Sequence, residues 1–167
     1  NDANAILATA EGAYNTIADT LIRMRELAVQ SASDGLTDTE RGYVNTEFAQ
    51  LLTEIDRVAA VTEYNGINLL DGSAGASGAM VFQVGTRNSG NDQIGITLTD
   101  QDATALAVNG ATVETLANAQ SAIDTIDTAI GTLATDRAVL GATQNRLTAA
   151  IDNLGLTIEN LSAAQSQ

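Results

Sequence analysis

The sequence predicts a mainly α protein: an elongated antiparallel α-helical bundle with one long C-terminal helix packed on two N-terminal helices, plus a small β-hairpin. Three observations carry this reading. Apolar residues recur every three or four positions near both ends of the chain, the helical period. Proline, which removes a backbone N–H and clashes with the preceding turn, is absent from all 167 residues. Hydrophobic residues make up 44% of the chain but aromatics only 3%, so the core is built from Leu, Ile, Val and Ala, which suit close helix packing.

The first helix is expected over residues 4–33, with Ile6, Ala10, Ala13, Ile17, Leu21, Met24 and Ala28 on one face and Ser33-Asp34-Gly35 as its stop. The second opens on Thr37 with Glu40 three residues later, a capping-box pattern. Its stripe is Val44, Phe48, Leu51, Ile55 and Val58, ending near Glu63 before a tight Asn65-Gly66 turn. Residues 71–78 are loop material rich in Gly and Ser. Residues 80–84 and 93–99 read as short strands around a turn at 85–92. A lone two-stranded hairpin is marginal, so it should pack on the helices. Residues 100–111 form a weakly patterned connection.

The last segment is the most informative. A strict 3–4 spacing picks out Leu116, Ala119, Ile123, Ile126, Ile130, Leu133, Arg137, Leu140, Gln144, Leu147, Ile151, Leu154, Ile158 and Leu161. That is one helix of about 50 residues, a rod 75 Å long at 1.5 Å per residue. It is expected to be covered by the two earlier helices laid end to end. Arg137 and Gln144 interrupt the stripe, either where the seam rotates between partners or as buried polar groups controlling register. Gly131, Gly141 and Gly155 each weaken a helix by about 1 kcal/mol relative to Ala, which suggests close backbone contact there. The chain reads as one domain, residues 1–167: N-terminal helices over 1–63, loops and hairpin over 64–111, and the long helix over 112–167.

Charge and composition narrow the chemistry. The formal net charge is -14 and all seven basic residues are Arg, a poor match for phosphate backbones or anionic membranes. Cysteine and histidine are absent, which excludes disulfides, thiolate nucleophiles, His-containing metal sites and a Ser-His-Asp triad. No apolar run is long enough to span a bilayer, and no signal peptide is visible. Asp100-Gln101-Asp102 hints at a Ca²⁺ ligand pair but lacks the further oxygens, Gly and closing Glu of an EF-hand loop. The reading is therefore no enzyme, no cofactor and no metal.

Long motifs in the helices resemble bacterial flagellin. Leu140-Gly141-Ala142-x-Gln144-Asn145-Arg146-Leu147, with Asn153-Leu154 and Asn160-Leu161-Ser162, is similar to that family's C-terminal core helix. Leu21-x-Arg23-x-Arg25-Glu26-Leu27-Ala28-Val29-Gln30-Ser31 resembles the end of its first core helix. Glu54-Ile55-Asp56-Arg57-Val58 and Tyr64-Asn65-Gly66-Ile67-x-Leu69-Leu70-Asp71-Gly72 resemble its second helix and following turn, and Asn1-Asp2 with Glu11-Gly12-Ala13 the start of the region. The resemblance implies a secreted, extracellular structural subunit of the flagellar filament, polymerising through its rod to give motility. It implies other flagellin subunits, an export chaperone and a filament cap as partners, and the innate immune flagellin receptor as a further one.

Flagellins also have terminal coiled-coil segments and outer variable domains. Both are expected to be missing here, so this piece is expected to be monomeric. By resemblance, Arg23, Leu27 and Glu54 are the receptor-binding positions, against which stands a plain Arg23–Glu54 ion pair between helices. Arg41, Glu47, Arg57 and Glu63 are read as exposed candidates for subunit contact, against a merely solvated helix face. A metallopeptidase insert, found in some flagellins, needs a His-Glu-x-x-His motif that this chain lacks. By the same resemblance, the Ser and Thr residues of the hairpin and connection are candidates for O-glycosylation. The competing functions are a hook–filament junction protein and a cell-surface adhesin or receptor on the same fold.

Overall fold

The computed structural model describes residues 2–75, 79–85 and 87–165. Parts of the expected loop over 71–78 and turn over 85–92, residue Asn1, and the side chain of Leu161 lie outside that description. The elements are α1 (Asp2–Ser31), α2 (Asp38–Val61), β1 (Glu63–Tyr64), β2 (Ile67–Asn68), β3 (Ala79–Gln83), a 3₁₀ turn (Gly90–Asp92), β4 (Gln93–Thr97) and α3 (Leu116–Gln165). The mainly α architecture holds, and the long helix is 50 residues.

Two buried stripes run down α1 instead of one. Ala3, Leu7, Ala10, Tyr14, Ile17, Leu21, Met24, Ala28 and Ser31 form the first; Ile6, Ala13, Thr20 and Leu27 interleave to make the second. Each repeats at coiled-coil spacing, and together they cover too wide an arc for a single partner. α3 takes one side, antiparallel, with Arg25 opposite Asp127 and the start of α1 opposite Leu147. α2 folds back on the other side, with Arg23 opposite Glu47. α1 thus runs between its neighbours, and the two N-terminal helices are not laid end to end along α3.

The connection ahead of α3 fills the space that this leaves, and its importance is not legible in its pattern. Leu98, Ala103, Leu106, Val108 and Val113 are all buried. Side chains of α2 and α1 hold its backbone. Asp56 accepts from the Ala103 N–H at 2.8 Å, Asn45 accepts from the Val113 N–H at 3.0 Å, and Ser31 donates to the Val113 carbonyl at 2.6 Å. The connection is a strap across the bundle. β3 and β4 pair antiparallel, Ala79 opposite Thr97, and bury Ile94 and Ile96 against α3.

From Ala119 to Ile151 the expected stripe on α3 is right at every second position and one residue out at the others, while beyond it Leu154 is half-buried and Ile158 exposed. Ala119, Ile126, Leu133, Leu140 and Leu147 are buried as expected. Between them the seam uses Ala122, Ala129 and Thr143, with Asp136 and Ala150 half-buried, in place of Ile123, Ile130, Arg137, Gln144 and Ile151. Small residues admit the close approach of α1, and the bulkier isoleucines at 123 and 130 pack on the flank of the core. Gln144 is exposed and Arg137 half-buried, so neither is a buried register device. Nothing lies within 4 Å of a side chain added at Gly131, Gly141 or Gly155, so the close contact expected at these glycines is absent.

Local chemistry sets the corners. Thr37 and Glu40 close the capping box at the start of α2. Asn65 and Gly66 both adopt left-handed backbone (φ 52° and 76°), the type I′ turn that joins two strands at the natural twist. Asp100 and Asp102 spend an oxygen each on nearby N–H groups, of Asp102 and Ala105, which fits a turn and not an ion site.

Ile17 is fully buried where both stripes of α1 meet, whereas Ile158 near the end of α3 is 66% exposed. Ile17→Ala is expected to cost about 2–5 kcal/mol in urea unfolding, and Ile158→Ala less than about 0.5 kcal/mol.

Candidate protein-interaction surface

α1 buries two stripes on one side and leaves a band along the opposite side of the helix open to solvent. Helical spacing puts Ile22, Glu26 and Val29 on that band. Ile22 and Val29 are each 49% exposed, uncommonly open for aliphatic residues on the central helix. Ion pairs to both neighbouring helices border them. On the α2 side, the Arg23 guanidinium donates to Glu47 at 2.9 Å and to Glu26 at 3.0 Å. On the α3 side, Arg25 Nε donates to Asp127 at 2.6 Å. The result is two aliphatic side chains between charged borders, a pattern suited to protein docking. Ile22 is an unspecified position of the motif over residues 21–31 and Val29 appears there only as part of it, so neither was a site candidate from sequence. The signal available was an aliphatic residue off the core stripe, spaced seven residues from another.

The expected site residues separate into three groups. Arg23, Glu47 and Arg57 are exposed on α1 and α2, Glu54 is half-buried on α2, and Glu63 is exposed in β1, beyond the end of the helix. Arg23 does not pair with Glu54: it reaches Glu47, and Glu54 is held by Arg57 one turn along α2, through Nε at 2.7 Å and a second guanidinium nitrogen. Leu27 is 2% exposed and belongs to the second buried stripe, so it offers no surface anchor.

Arg41 is likewise not an exposed contact. It is 5% exposed at the corner between α1 and α2. Its Nε donates to the Ser31 carbonyl and a terminal nitrogen to the Ser33 carbonyl, both at 2.8 Å, while Asp38 accepts from it at 2.9 Å. The cation closes off the C-terminal carbonyls of α1, where the helix dipole favours positive charge. The capping-box geometry of α2 sets its first turn so that position 41 faces this corner.

Several carboxylates respond to these partners. The Arg25 guanidinium holds Asp127 below its ordinary pKa, and Arg57 does the same for Glu54. The Thr37 backbone N–H lowers Glu40. In the interior, burial pushes the Tyr14 phenol up; its hydroxyl makes no hydrogen bond of normal geometry, although the Thr99 and Gln101 side chains lie close enough to offset part of the shift. Thr99 and Gln101 donate to Asp136 of α3 at 2.8 and 2.7 Å and tie the strap to the rod. Among the described residues no group of His, Cys, Asp and Glu is arranged to hold a metal, and no helix is long and apolar enough to cross a membrane.

A slender acidic rod whose distinctive chemistry lies on an exposed helix band is an interaction scaffold. Comparison with known proteins makes this specific. Residues 1–75 match the family model described as the bacterial flagellin N-terminal helical region, and residues 123–167 match the C-terminal helical region. Flagellin of Halalkalibacterium halodurans is 40% identical over 168 residues, covering 99% of this chain and 60% of the relative. The flagellin-named YvzB protein of Bacillus subtilis is 41% identical over 119 residues, 70% of this chain and 72% of that one. The crystal structure of Bacillus cereus flagellin superposes with a TM-score of 0.79 at 30% identity, covering 98% of this chain and 92% of that one. The chain belongs to the bacterial flagellin family. It spans about 60% of the length of the first curated relatives it matches.

Two outcomes test the electrostatics. Asp127, Glu54 and Glu40 have depressed pKa values in the fold, so their stabilisation is present above the ordinary carboxylate range and lost as pH falls through the lower folded values. The melting temperature is expected to change little from neutral pH to about 5 and to fall below about 4. Arg41→Ala strands the buried Ser31 carbonyl and takes from the Ser33 carbonyl one of its two donors; it is expected to cost about 2 kcal/mol in urea unfolding, whereas Arg57→Ala is expected to leave the unfolding midpoint unchanged.

Proposed function

We propose that this chain forms the rod of a structural subunit that polymerises into the extracellular bacterial flagellar filament and so gives motility. The observation that carries the proposal is the band of α1 in which Ile22 and Val29 stand exposed between ion pairs to α2 and α3. A rod presenting one such band to a different surface of its neighbour makes a heterologous contact, and a heterologous contact that does not close builds an open filament. The acidic exterior keeps the free subunit soluble. Glu47 borders this face through Arg23, Arg57 and Glu63 are further exposed candidates for subunit contact, and Arg41 acts inside the subunit. The flagellin family is structural, and no enzymatic step is assigned to the rod. Export chaperone and filament cap are further partners on this reading.

A second reading makes the same face a ligand for the innate immune flagellin receptor. Arg23, exposed beside this band, and Glu54, half-buried on α2, support it. Ile22 replaces Leu27 as its aliphatic contact. The hook–filament junction and adhesin readings have no comparable feature behind them.

In the complete gene product, Ile22→Asp with Val29→Asp is expected to leave the melting temperature within a few degrees of normal and to abolish filaments in polymerising salt, scored by electron microscopy. Filaments of ordinary length from a folded double variant would refute the assignment. For the receptor reading, Ile22→Asp is expected to weaken binding of the purified ectodomain at least tenfold; no binding of the unsubstituted chain at micromolar concentration would end it.

A further inference from the structure

The chain holds two Asn-Gly dipeptides, Asn65-Gly66 and Asn109-Gly110. Such a pair is the sequence most open to intramolecular deamidation, because glycine leaves its own backbone nitrogen unhindered. Both pairs are exposed, neither asparagine side chain makes a hydrogen bond, and nothing lies within 4 Å of the space a side chain would take at either glycine. Their backbones nevertheless differ in hand. Asn65 and Gly66 are the central residues of the I′ turn, both left-handed, and strand pairing on either side locks them: Tyr64 opposite Ile67, and the Leu69 N–H bound to the Thr62 carbonyl at 2.9 Å. Asn109 and Gly110 are the central residues of a turn closed by the Ala111 N–H on the Val108 carbonyl at 3.0 Å, and neither is left-handed. That is a type I turn.

We propose that Asn109 is the site of spontaneous deamidation in the folded chain, and that the I′ hairpin protects Asn65. The Gly110 nitrogen gives its proton to water and attacks Asn109 Cγ; Nδ2 takes a proton back from water, the Cγ–Nδ2 bond breaks and ammonia leaves, forming a succinimide. Water then opens one of its two carbonyls, giving aspartate or isoaspartate, with no oxidant or reductant needed. The attack requires ψ of the asparagine to rotate to a markedly negative value. A type I turn starts on that side and is closed by a single hydrogen bond in an exposed loop. A I′ turn starts on the opposite side, and the rotation must break the strand pairing.

The product puts a carboxylate, and in part an added backbone carbon, into the strap between buried Val108 and Val113. It therefore marks a place where the rod ages chemically. The test is peptide mapping by mass spectrometry after incubation of the full chain, folded and in urea, at mildly alkaline pH. Conversion at Asn109 at least tenfold faster than at Asn65 in the fold, with the two rates within about threefold in urea, is the expected result. Asn109→Gln is expected to remove the main acidic species on ion exchange. Equal rates in the fold, or faster conversion at Asn65, would overturn the proposal.

Discussion

Everything in this rod follows from the width of the apolar face on α1. A helix with one coiled-coil stripe needs one partner. A helix with two interleaved stripes, sharing Ala10, Ile17, Met24 and Ser31, cannot hide its apolar surface against one partner and leaves a second exposed. Apart from Tyr14, the side chains of these stripes are small or medium and let the neighbours come close, with Phe48 of α2 the other buried aromatic. α3 and α2 occupy the two sides, and the strap and hairpin close what remains. The Arg41 corner fixes where α2 turns back, because its guanidinium can satisfy the carbonyls of Ser31 and Ser33 only when α2 starts at that point and in that orientation.

The same constraint defines the surface. With two sides of α1 buried, the residues beside each seam lie against two different helices at once. Arg23 faces α2 and Arg25 faces α3, so residues two apart in sequence pair with partners on opposite sides of the rod. Exposed pairs of this kind add little stability each, because water screens them. Their role is geometric: they hold a charged border on each side of Ile22 and Val29. A neighbour that covers the aliphatic pair has to match those borders as well, which favours one docking register over its alternatives.

Most of the fold was legible in the sequence because helices announce themselves by period. The capping box, the I′ turn, the two short strands and the 50-residue helix all stand near where the pattern puts them. The strap was not legible: Leu98, Ala103, Leu106, Val108 and Val113 are buried at irregular intervals, with their backbone bonds made to distant side chains, so no local period exists to read. The seam of α3 was misread at alternate positions because hydrophobicity favours isoleucine over alanine, whereas close packing against α1 favours alanine. Of the candidate site, charges such as Arg23 and Glu54 could be named from motifs. Leu27 and Arg41 were misplaced for a common reason. Whether a residue beside a stripe is buried depends on the presence of a second stripe, and for Arg41 on two backbone carbonyls brought there by the turn.

The wide apolar face of α1 is the seam that α2 and α3 share. Native-state hydrogen exchange tests this most directly. Amides through the middle of α1, around Tyr14, Ile17 and Leu21, are expected to exchange only through global unfolding, while α2, the strap and the last turns of α3 open at lower free energy. Sub-global exchange of α1 with α2 and the strap still protected would contradict the account.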